Sequence, residues 1–255
     1  MCTHVVLFRP GHAWPLLLGA NRDELVGRPW RAPGRHWPDR PGVTAGRDDE
    51  AGGTWLGLND EGVVAGLLNR VGSLGPAHDK KSRGILPLLA LDHGSAEEAA
   101  DAITRLQGSD FKPFNMLIAD SSSAWWVRWG DDQADGRPTA QPITEGLHML
   151  SAFDLDDPQS PRVRRHLPKF RDAAVPGPDS GDWSGWIERL CDTSRDSVHH
   201  ESGAVLIEGS HGFATVSSSL IALAGPDRRT IWQFASGRPD KVSFVPVPVD
   251  TTDCV

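Results

Sequence analysis

The sequence predicts an α+β fold in which helices cover the faces of mainly antiparallel sheets. Strand-like segments with alternating apolar residues fill the first half, segments with helical spacing follow, and strand-like segments return near the end. The chain has 255 residues and no linker-like stretch. We therefore expect a single domain over residues 1–255.

Turn residues separate the strands of the first half. The polar breaks at residues 59–62 and 120–123 indicate hairpins, so the strands that they join should be antiparallel. Residues 25–53 are rich in Pro, Gly, Arg and Trp, which predicts a long irregular binding loop or lid. The strands of this half are predicted at 3–8, 15–21, 54–58, 63–69, 115–119 and 124–129.

Helices are predicted in two pairs. Ser95 is expected to be the N-cap of the second helix, with Glu98 as its capping-box partner. Arg162, Arg164 and Arg165 are expected on one solvated helix face. The helices are predicted at 83–93, 96–106, 161–172 and 183–191, and the later strands at 203–207, 214–222, 230–235 and 242–247.

Composition excludes several function classes. Hydrophobic residues make up 38% of the chain, and no apolar run approaches the ~18 residues that a bilayer requires, so membrane insertion is not expected. The net charge of −8 disfavours nucleic-acid binding. The start lacks the basic region of a secretory signal, which favours a cytoplasmic protein. The three cysteines, Cys2, Cys191 and Cys254, have no metal-binding spacing and are expected to be reduced.

Cys2 is the strongest candidate for a reactive group. Because cysteine is small, removal of Met1 is expected, and Cys2 then carries both a thiol and a free α-amine. The amine, with a reference pKa of roughly 7.7–8.0, can act as general base for the thiol. A chance cysteine at position 2 is the alternative reading.

Polar residues at the ends of apolar strands are candidate partners of Cys2. Asp23 could orient the Cys2 ammonium, and Arg22 could lower the pKa of the thiol, although an ordinary charged turn has the same composition. The two side chains should point to opposite faces of a strand, and we favour Asp23 for direct contact. Asn69 and Asn115 are either amide donors for an oxyanion or turn residues.

Several motifs resemble those of the Transport and Golgi organisation family, also named NRDE after the tetrapeptide at residues 21–24. They run in order along nearly the whole chain. The motifs are Met1-Cys2, Leu18-Gly19-Ala20-Asn21-Arg22-Asp23-Glu24, Arg28-Pro29, Gly52-Gly53-Thr54-Trp55-Leu56-Gly57, residues 65–69, Ser82-Arg83-Gly84 and residues 114–120.

That family is similar to cysteine amidases of the N-terminal nucleophile superfamily, and the resemblance implies a four-layer αββα sandwich. It implies Cys2, Asp23, Arg22 and Asn69 as catalytic residues, with Asn69 in the oxyanion hole. Asn21, Asn115 and Ser151 are the implied substrate-binding residues. Ala152 and Val216 stand where the family usually has an asparagine and an arginine, so substrate recognition differs or catalysis is absent.

Three functions remain open at this point. The first is a cofactor-free amide hydrolase or acyl transferase for a small molecule, and no oligomeric state is indicated. The second is a noncatalytic carrier of a ligand such as haem, with His36, His148 and His211 as candidate ligands. The least favoured is a metal hydrolase that uses residues 48–50 or 199–200, because adjacent loop carboxylates are usually solvated.

Overall fold

The computed structural model describes residues 2–75, 79–130, 132–133, 135–195, 203–209, 212–225 and 228–249. In these residues two antiparallel sheets face each other, and helices cover both outer faces. The strands are β1 (Thr3–Phe8), β2 (Leu16–Leu25), β3 (Trp30–Gly34), β4 (Val43–Asp48), β5 (Leu56–Asn59), β6 (Val64–Asn69), β7 (Phe114–Ala119), β8 (Ala124–Trp129), β9 (Thr139–Pro142), β10 (Gly146–Leu150), β11 (Phe213–Leu223), β12 (Ile231–Ala235) and β13 (Val245–Pro246). The helices are α1 (Ile85–Ala90), α2 (Ala96–Thr104), α3 (Pro161–Asp172) and α4 (Ser184–Leu190).

The first sheet has the strand order β10-β1-β2-β11-β12-β13, and the second has the order β3-β4-β5-β6-β7-β8-β9. The predicted breaks at 59–62 and 120–123 join β5 to β6 and β7 to β8, and both pairs are antiparallel. In the first sheet, β2 lies between β1 and β11, with Thr3 opposite Asn21 and Ser218 opposite Asn21 on the other side. Because the strands are antiparallel, the N-terminal end of β1 lies beside the C-terminal half of β2.

Three apolar clusters hold the layers together. One fills the space between the sheets and includes Leu18, Leu68 and Trp126. A second joins α1 and α2 to the outer face of the second sheet, and a third joins α3 and α4 to the outer face of the first sheet. Burial of these apolar faces is the main stabilising contribution. The predicted α+β, four-layer αββα sandwich is confirmed.

The helix starts follow from local side-chain bonds. Ser95 accepts a hydrogen bond from the Glu98 amide at 3.2 Å, and Ser160 caps α3 through the Val163 amide at 3.3 Å. Each bond satisfies an amide that has no partner within the helix. No helix among the described residues combines the length and apolarity that a membrane span requires.

Some predictions for individual elements are wrong. Residues 25–53 are not one irregular loop, because β3 and β4 lie within them and form one edge of the second sheet. Residues 203–207 form no strand; their apolar side chains are buried without joining either sheet. The strand predicted at 242–247 is limited to the two residues of β13, and β9 and β10 were not predicted.

Candidate active site

Cys2 lies directly before β1, where it is half-buried and packs against the cluster between the sheets. It lines a pocket of about 520 Å³. Arg22 and Asp23 at the end of β2, and Asn69 at the end of β6, line the same pocket. The structure therefore brings together all four residues that the sequence offered as catalytic candidates.

The β1–β2 pairing sets the environment of the thiol. Sγ of Cys2 lies 3.9 Å from the backbone carbonyl oxygen of Asp23, to which it can donate. Burial raises the pKa of the Cys2 thiol, and the Asp23 carboxylate acts in the same direction, whereas the charge of Arg22 lowers this pKa. The thiol therefore depends on nearby positive charge for its ionisation.

Arg22 is only 5% exposed. Its guanidinium lies 3.9 Å from the ring centroid of Trp55, which is a cation–π geometry. The nearest carboxylate, Glu24, is 3.9 Å away, and Nη1 of Arg22 has no hydrogen-bond partner among the described residues. A buried cation with a donor to spare can interact with an anionic or polar group in the pocket.

The Trp55 ring can lie against Arg22 because the residue of β4 beneath the ring is a glycine, Gly46. A Cβ atom at Gly46 of β4 would lie 2.3 Å from Cζ2 of Trp55. Glycine thus leaves the space that the indole ring occupies. The ring of Trp30 on β3 packs edge-on against Trp55, with 5.8 Å between centroids.

Asp23 points away from Arg22, as the alternation along a strand predicts. Its side chain is fully buried, and its Oδ2 accepts a hydrogen bond from Nη1 of Arg162 at 3.1 Å. Oδ1 of Asp23 accepts from the Thr215 hydroxyl at 2.7 Å. Nη1 of Arg162 also donates to the Thr3 hydroxyl at 2.6 Å. A carboxylate with such partners can remain charged while buried.

The prediction that Arg162 lies on a solvated helix face is wrong. Its side chain is 2% exposed, because it projects from the inner face of α3 towards Asp23. Arg162, His166 and Phe170 are spaced by four residues and are all buried. That helical spacing is the signal that could have placed Arg162 inside.

Asn69 differs from the other asparagines of the predicted site. It lines the pocket, and its side-chain amide makes no hydrogen bond to any residue in the part of the chain described. Its N–H groups are therefore available to an oxygen of a bound molecule.

The side-chain amides of Asn21 and Asn115 are hydrogen-bonded to the backbone of the protein. Nδ2 of Asn21 donates to the carbonyls of Leu190 and Val205 at 2.9 and 3.1 Å. Nδ2 of Asn115 donates to the carbonyls of Ser151 and Phe153 at 2.9 and 2.6 Å.

The oxygen of Asn115 is also used, because it accepts from Nη1 of Arg70 and from Nε1 of Trp126. The Ser151 hydroxyl bonds to that of Ser160 at 3.0 Å. None of Asn21, Asn115 and Ser151 lines the pocket of about 520 Å³, although Asn21 lines a smaller cavity together with Cys2 and Arg22. Their geometry is that of residues that fix the surrounding backbone.

Two positions that depart from the family pattern lie in the fold without polar side chains. Ala152 is 2% exposed, and its carbonyl accepts from the Val71 amide at 3.0 Å. Val216 lies at a register shift of β11 between Thr215 and Ser217. Neither residue is among those that line the pocket.

The residues of the alternative functions have other partners. Asp48 pairs with Arg28 at 2.8 Å, and Asp49 pairs with Arg31 at 3.0 Å. No cluster of three His, Cys, Asp or Glu side chains suited to a metal ion occurs in the described ranges.

The candidate haem ligands are placed elsewhere. His148 pairs with Asp156 at 2.6 Å, and His36 packs against Trp37. Neither histidine lines the pocket that contains Cys2. Residues 199–200 and His211 lie outside the described residues.

The pocket also has charged residues that sequence reasoning did not assign to the site. The cations are Arg28, Lys80, Lys81, Arg83 and Lys112, and the anions are Glu24, Asp48 and Glu50. Arg28, Arg83 and Glu24 belong to the family motifs, and Asp48 and Glu50 belong to the segment considered for a metal hydrolase, but none of them was predicted as a partner of Cys2. Lys80, Lys81 and Lys112 lie in loops whose approach to Cys2 depends on the tertiary fold.

A model of the family described as Transport and Golgi organisation 2 matches residues 1–223. The chain is 32% identical over 157 residues to the Transport and Golgi organization protein 2 homolog of Homo sapiens, a match that covers 58% of this chain and 54% of that protein. It is 34% identical over 117 residues to the homolog of Bos taurus, covering 44% of this chain and 41% of that protein. The chain thus spans about half the length, or less, of these relatives.

Solved structures share the fold at low sequence identity. One is a Caenorhabditis elegans ortholog of N-acylethanolamine-hydrolyzing acid amidase, with a TM-score of 0.57, 14% identity, and coverage of 97% of this chain and 100% of that one. Another is a mutant conjugated bile acid hydrolase from Clostridium perfringens, with a TM-score of 0.50, 13% identity, and coverage of 99% and 98%. Both similarities show the fold alone.

Proposed function

The chain belongs to the Transport and Golgi organisation 2 family, and we propose that it is a cysteine hydrolase of the N-terminal nucleophile type, an amide hydrolase or acyl transferase. The observation that carries this proposal is the position of Cys2. It immediately precedes β1, at a pocket that also contains a buried cation, Arg22, and a side-chain amide without a hydrogen bond among the described residues, Asn69. The amidase and bile acid hydrolase with the same fold support a hydrolytic reaction.

The first half of the reaction forms a thioester. After Met1 is removed, the Cys2 amine takes the thiol proton, and the thiolate attacks the carbonyl carbon of the amide. An S–C bond forms while the carbonyl electron pair moves onto oxygen. As the C–N bond breaks, the Cys2 ammonium returns the proton to the leaving nitrogen.

The second half releases the acyl group. Water gives a proton to the Cys2 amine as its oxygen attacks the thioester carbonyl, and the departing thiolate takes that proton back. The products are a carboxylic acid and the free thiol. If an amine attacks in place of water, the same steps produce a new amide, which is acyl transfer.

The other residues assist this chemistry by charge and hydrogen bonding. Asn69 donates to the oxyanion, a contribution that is typically about 2.7–4 kcal/mol. Arg22 favours the thiolate through its positive charge. Asp23, held by Arg162 and Thr215, supplies a fixed negative charge that stabilises the Cys2 ammonium.

The test compares wild type with Cys2→Ala on a panel of N-acyl amides with short and long acyl chains. Intact mass first establishes that Met1 is absent, because a retained Met1 blocks the amine and contradicts the mechanism. We expect turnover by wild type and none by Cys2→Ala, with Cys191→Ala as the matched control that keeps activity. Turnover that survives Cys2→Ala would contradict the proposal.

A further inference from the structure

Six cationic residues line the pocket. Arg28 is held by Asp48 at 2.8 Å and Lys81 by Asp110 at 2.7 Å, whereas Lys80 donates to the Ser109 carbonyl and Lys112 to the carbonyls of Leu74 and Gly75. Arg22 and Arg83 are the guanidinium groups of the pocket that have no carboxylate closer than 3.9 Å among the described residues.

Arg83 is half-buried and is held by neutral oxygens only. Its Nη1 donates to the Ser73 hydroxyl and to the Pro113 carbonyl, both at 2.8 Å. Within the described part of the chain, no carboxylate forms an ion pair with it. A guanidinium has five N–H donors, so Nη2 and Nε remain for a group in the pocket.

Arg83 and Cys2 line the same pocket, so the two side chains share one electrostatic environment. Burial lowers the pKa of Arg83 to about 10, and the negative charges that counter this effect are the Cys2 thiolate and Glu24. The guanidinium still carries its charge at neutral pH. It therefore presents to the space in front of Cys2 a positive charge that no described carboxylate neutralises in an ion pair.

The backbone around Arg83 is fixed by a close approach of two glycines. A Cβ atom at Gly53 would lie 2.4 Å from the carbonyl carbon of Gly84, so only glycine fits there. The Thr54 amide donates to the Gly84 carbonyl at 2.8 Å. Arg83 is thus attached to the segment that leads into β5, whereas Cys2 and Arg22 belong to the first sheet.

Arg22 and Arg83 differ in what they can reach. Arg22 is 5% exposed and lies on Trp55, which suits it to the thiolate. Arg83 is more exposed and faces the pocket volume. We infer, resting on the proposed hydrolase function, that Arg83 binds a carboxylate of the substrate close to the scissile amide. The substrate class is then an anionic acyl amide.

That carboxylate can belong to either half of the amide. On the leaving amine it makes an N-acyl amino acid, and on the acyl group it makes the monoamide of a dicarboxylic acid. Both present the same charge to Arg83, and the experiment separates them.

The first experiment uses alkylation of Cys2, which needs no turnover. Iodoacetate and iodoacetamide react identically, with the thiolate displacing iodide, but only iodoacetate carries a carboxylate. The rate ratio of the two reagents at Cys2 is measured by peptide mass, with Cys191 as the reference in the same chain. We expect Arg83→Gln to lower this ratio about fivefold, by removal of one charge near the thiolate, while Arg105→Gln leaves it unchanged.

A ratio that Arg83→Gln does not change would overturn the inference. Because a change in the thiol pKa affects both reagents equally, the ratio reports the anion contact alone. If Arg83→Gln does not fold, wild type decides the question: a carboxylate ligand should slow alkylation by iodoacetamide more than its neutral partner does. Equal protection by the two ligands contradicts the inference.

The ligands are two matched pairs. N-acetylglycine against N-acetylglycinamide tests the amine half, and succinamate against butyramide tests the acyl half. As substrates, the favoured anionic member should lose about 10- to 100-fold in kcat/KM in Arg83→Gln, the loss expected for a hydrogen bond to a charged group. Turnover that requires Cys2 but not Arg83 would contradict the anion site and support the hydrolase function. Protection by the carboxylate ligand without any turnover would support the anion site and contradict the hydrolase function.

Discussion

The two faces of β2 carry opposite charges at Arg22 and Asp23, and only the Asp23 carboxylate has its charge matched by close hydrogen bonds. On the helix-covered face, the Asp23 carboxylate is bound by Arg162 and Thr215 and has no exposed surface. On the face between the sheets, Arg22 rests on Trp55 and keeps an Nη1 without a hydrogen-bond partner in the described residues. On the helix-covered face the polar groups bind each other and stabilise the fold, whereas on the face between the sheets a donor remains available to a bound molecule.

Loss of the Arg162 partner should have the largest effect. Arg162→Met leaves the Asp23 carboxylate buried without its cation, so the free energy of unfolding should fall by about 3–5 kcal/mol in urea titrations. Arg164→Met, on the exposed side of the same helix, should change it by less than about 0.5 kcal/mol. Equal losses of unfolding free energy in the two variants would show that the contact between Arg162 and Asp23 does not stabilise the fold.

Asn115 and Asn69 extend the contrast to the second sheet. Asn69→Ala should lower kcat by about 10²–10³, the cost of one oxyanion donor, with little change in stability. Asn115→Ala leaves four bonded groups without their partner and should cost about 2–3 kcal/mol of stability. Kinetics and urea unfolding of both variants check this, and reversed effects would refute the assignment.

Arg22→Gln removes the cation from the face between the sheets. The charge of Arg22 lowers the pKa of the Cys2 thiol, so its loss should raise that pKa and leave less thiolate at neutral pH. We expect alkylation by iodoacetamide at pH 7.5 to slow about tenfold. The rate profile should move to higher pH, and an unmoved profile would show that Arg22 does not act on the thiol.

His4, on the same face as Cys2, should produce a smaller effect that depends on pH. Burial lowers its pKa to about 3, so between about pH 6.5 and 3 only the unfolded state binds the proton. The free energy of unfolding should therefore decrease as the pH is lowered through this window, by at most about 1.4 kcal/mol per pH unit.

The check for His4 is a comparison of slopes. His4→Leu should flatten the pH dependence of unfolding between pH 6 and 4, because the variant has no group to protonate at this position. His166, whose pKa burial lowers to about 4, contributes equally to both proteins. Parallel slopes would show that His4 is not held neutral.

The sequence predicted the parts of the site that follow from strand ends. β1 and β8 have the predicted bounds, and the polar ends of β2 and β6 placed Arg22, Asp23 and Asn69. β3 and β4 were missed because their Pro and Gly content hides the alternation. Arg162 was missed because a charge on a helix normally faces water, and its partner is 139 residues away.

Gly46 connects the two layers of the sandwich at the candidate active site. It belongs to β4 of the second sheet, and the missing Cβ gives Trp55 the space from which it supports Arg22 of the first sheet. Arg22 is thus supported by a residue of the other layer rather than by its own strand. The relative position of the two sheets therefore sets where the charge that lowers the pKa of the Cys2 thiol lies.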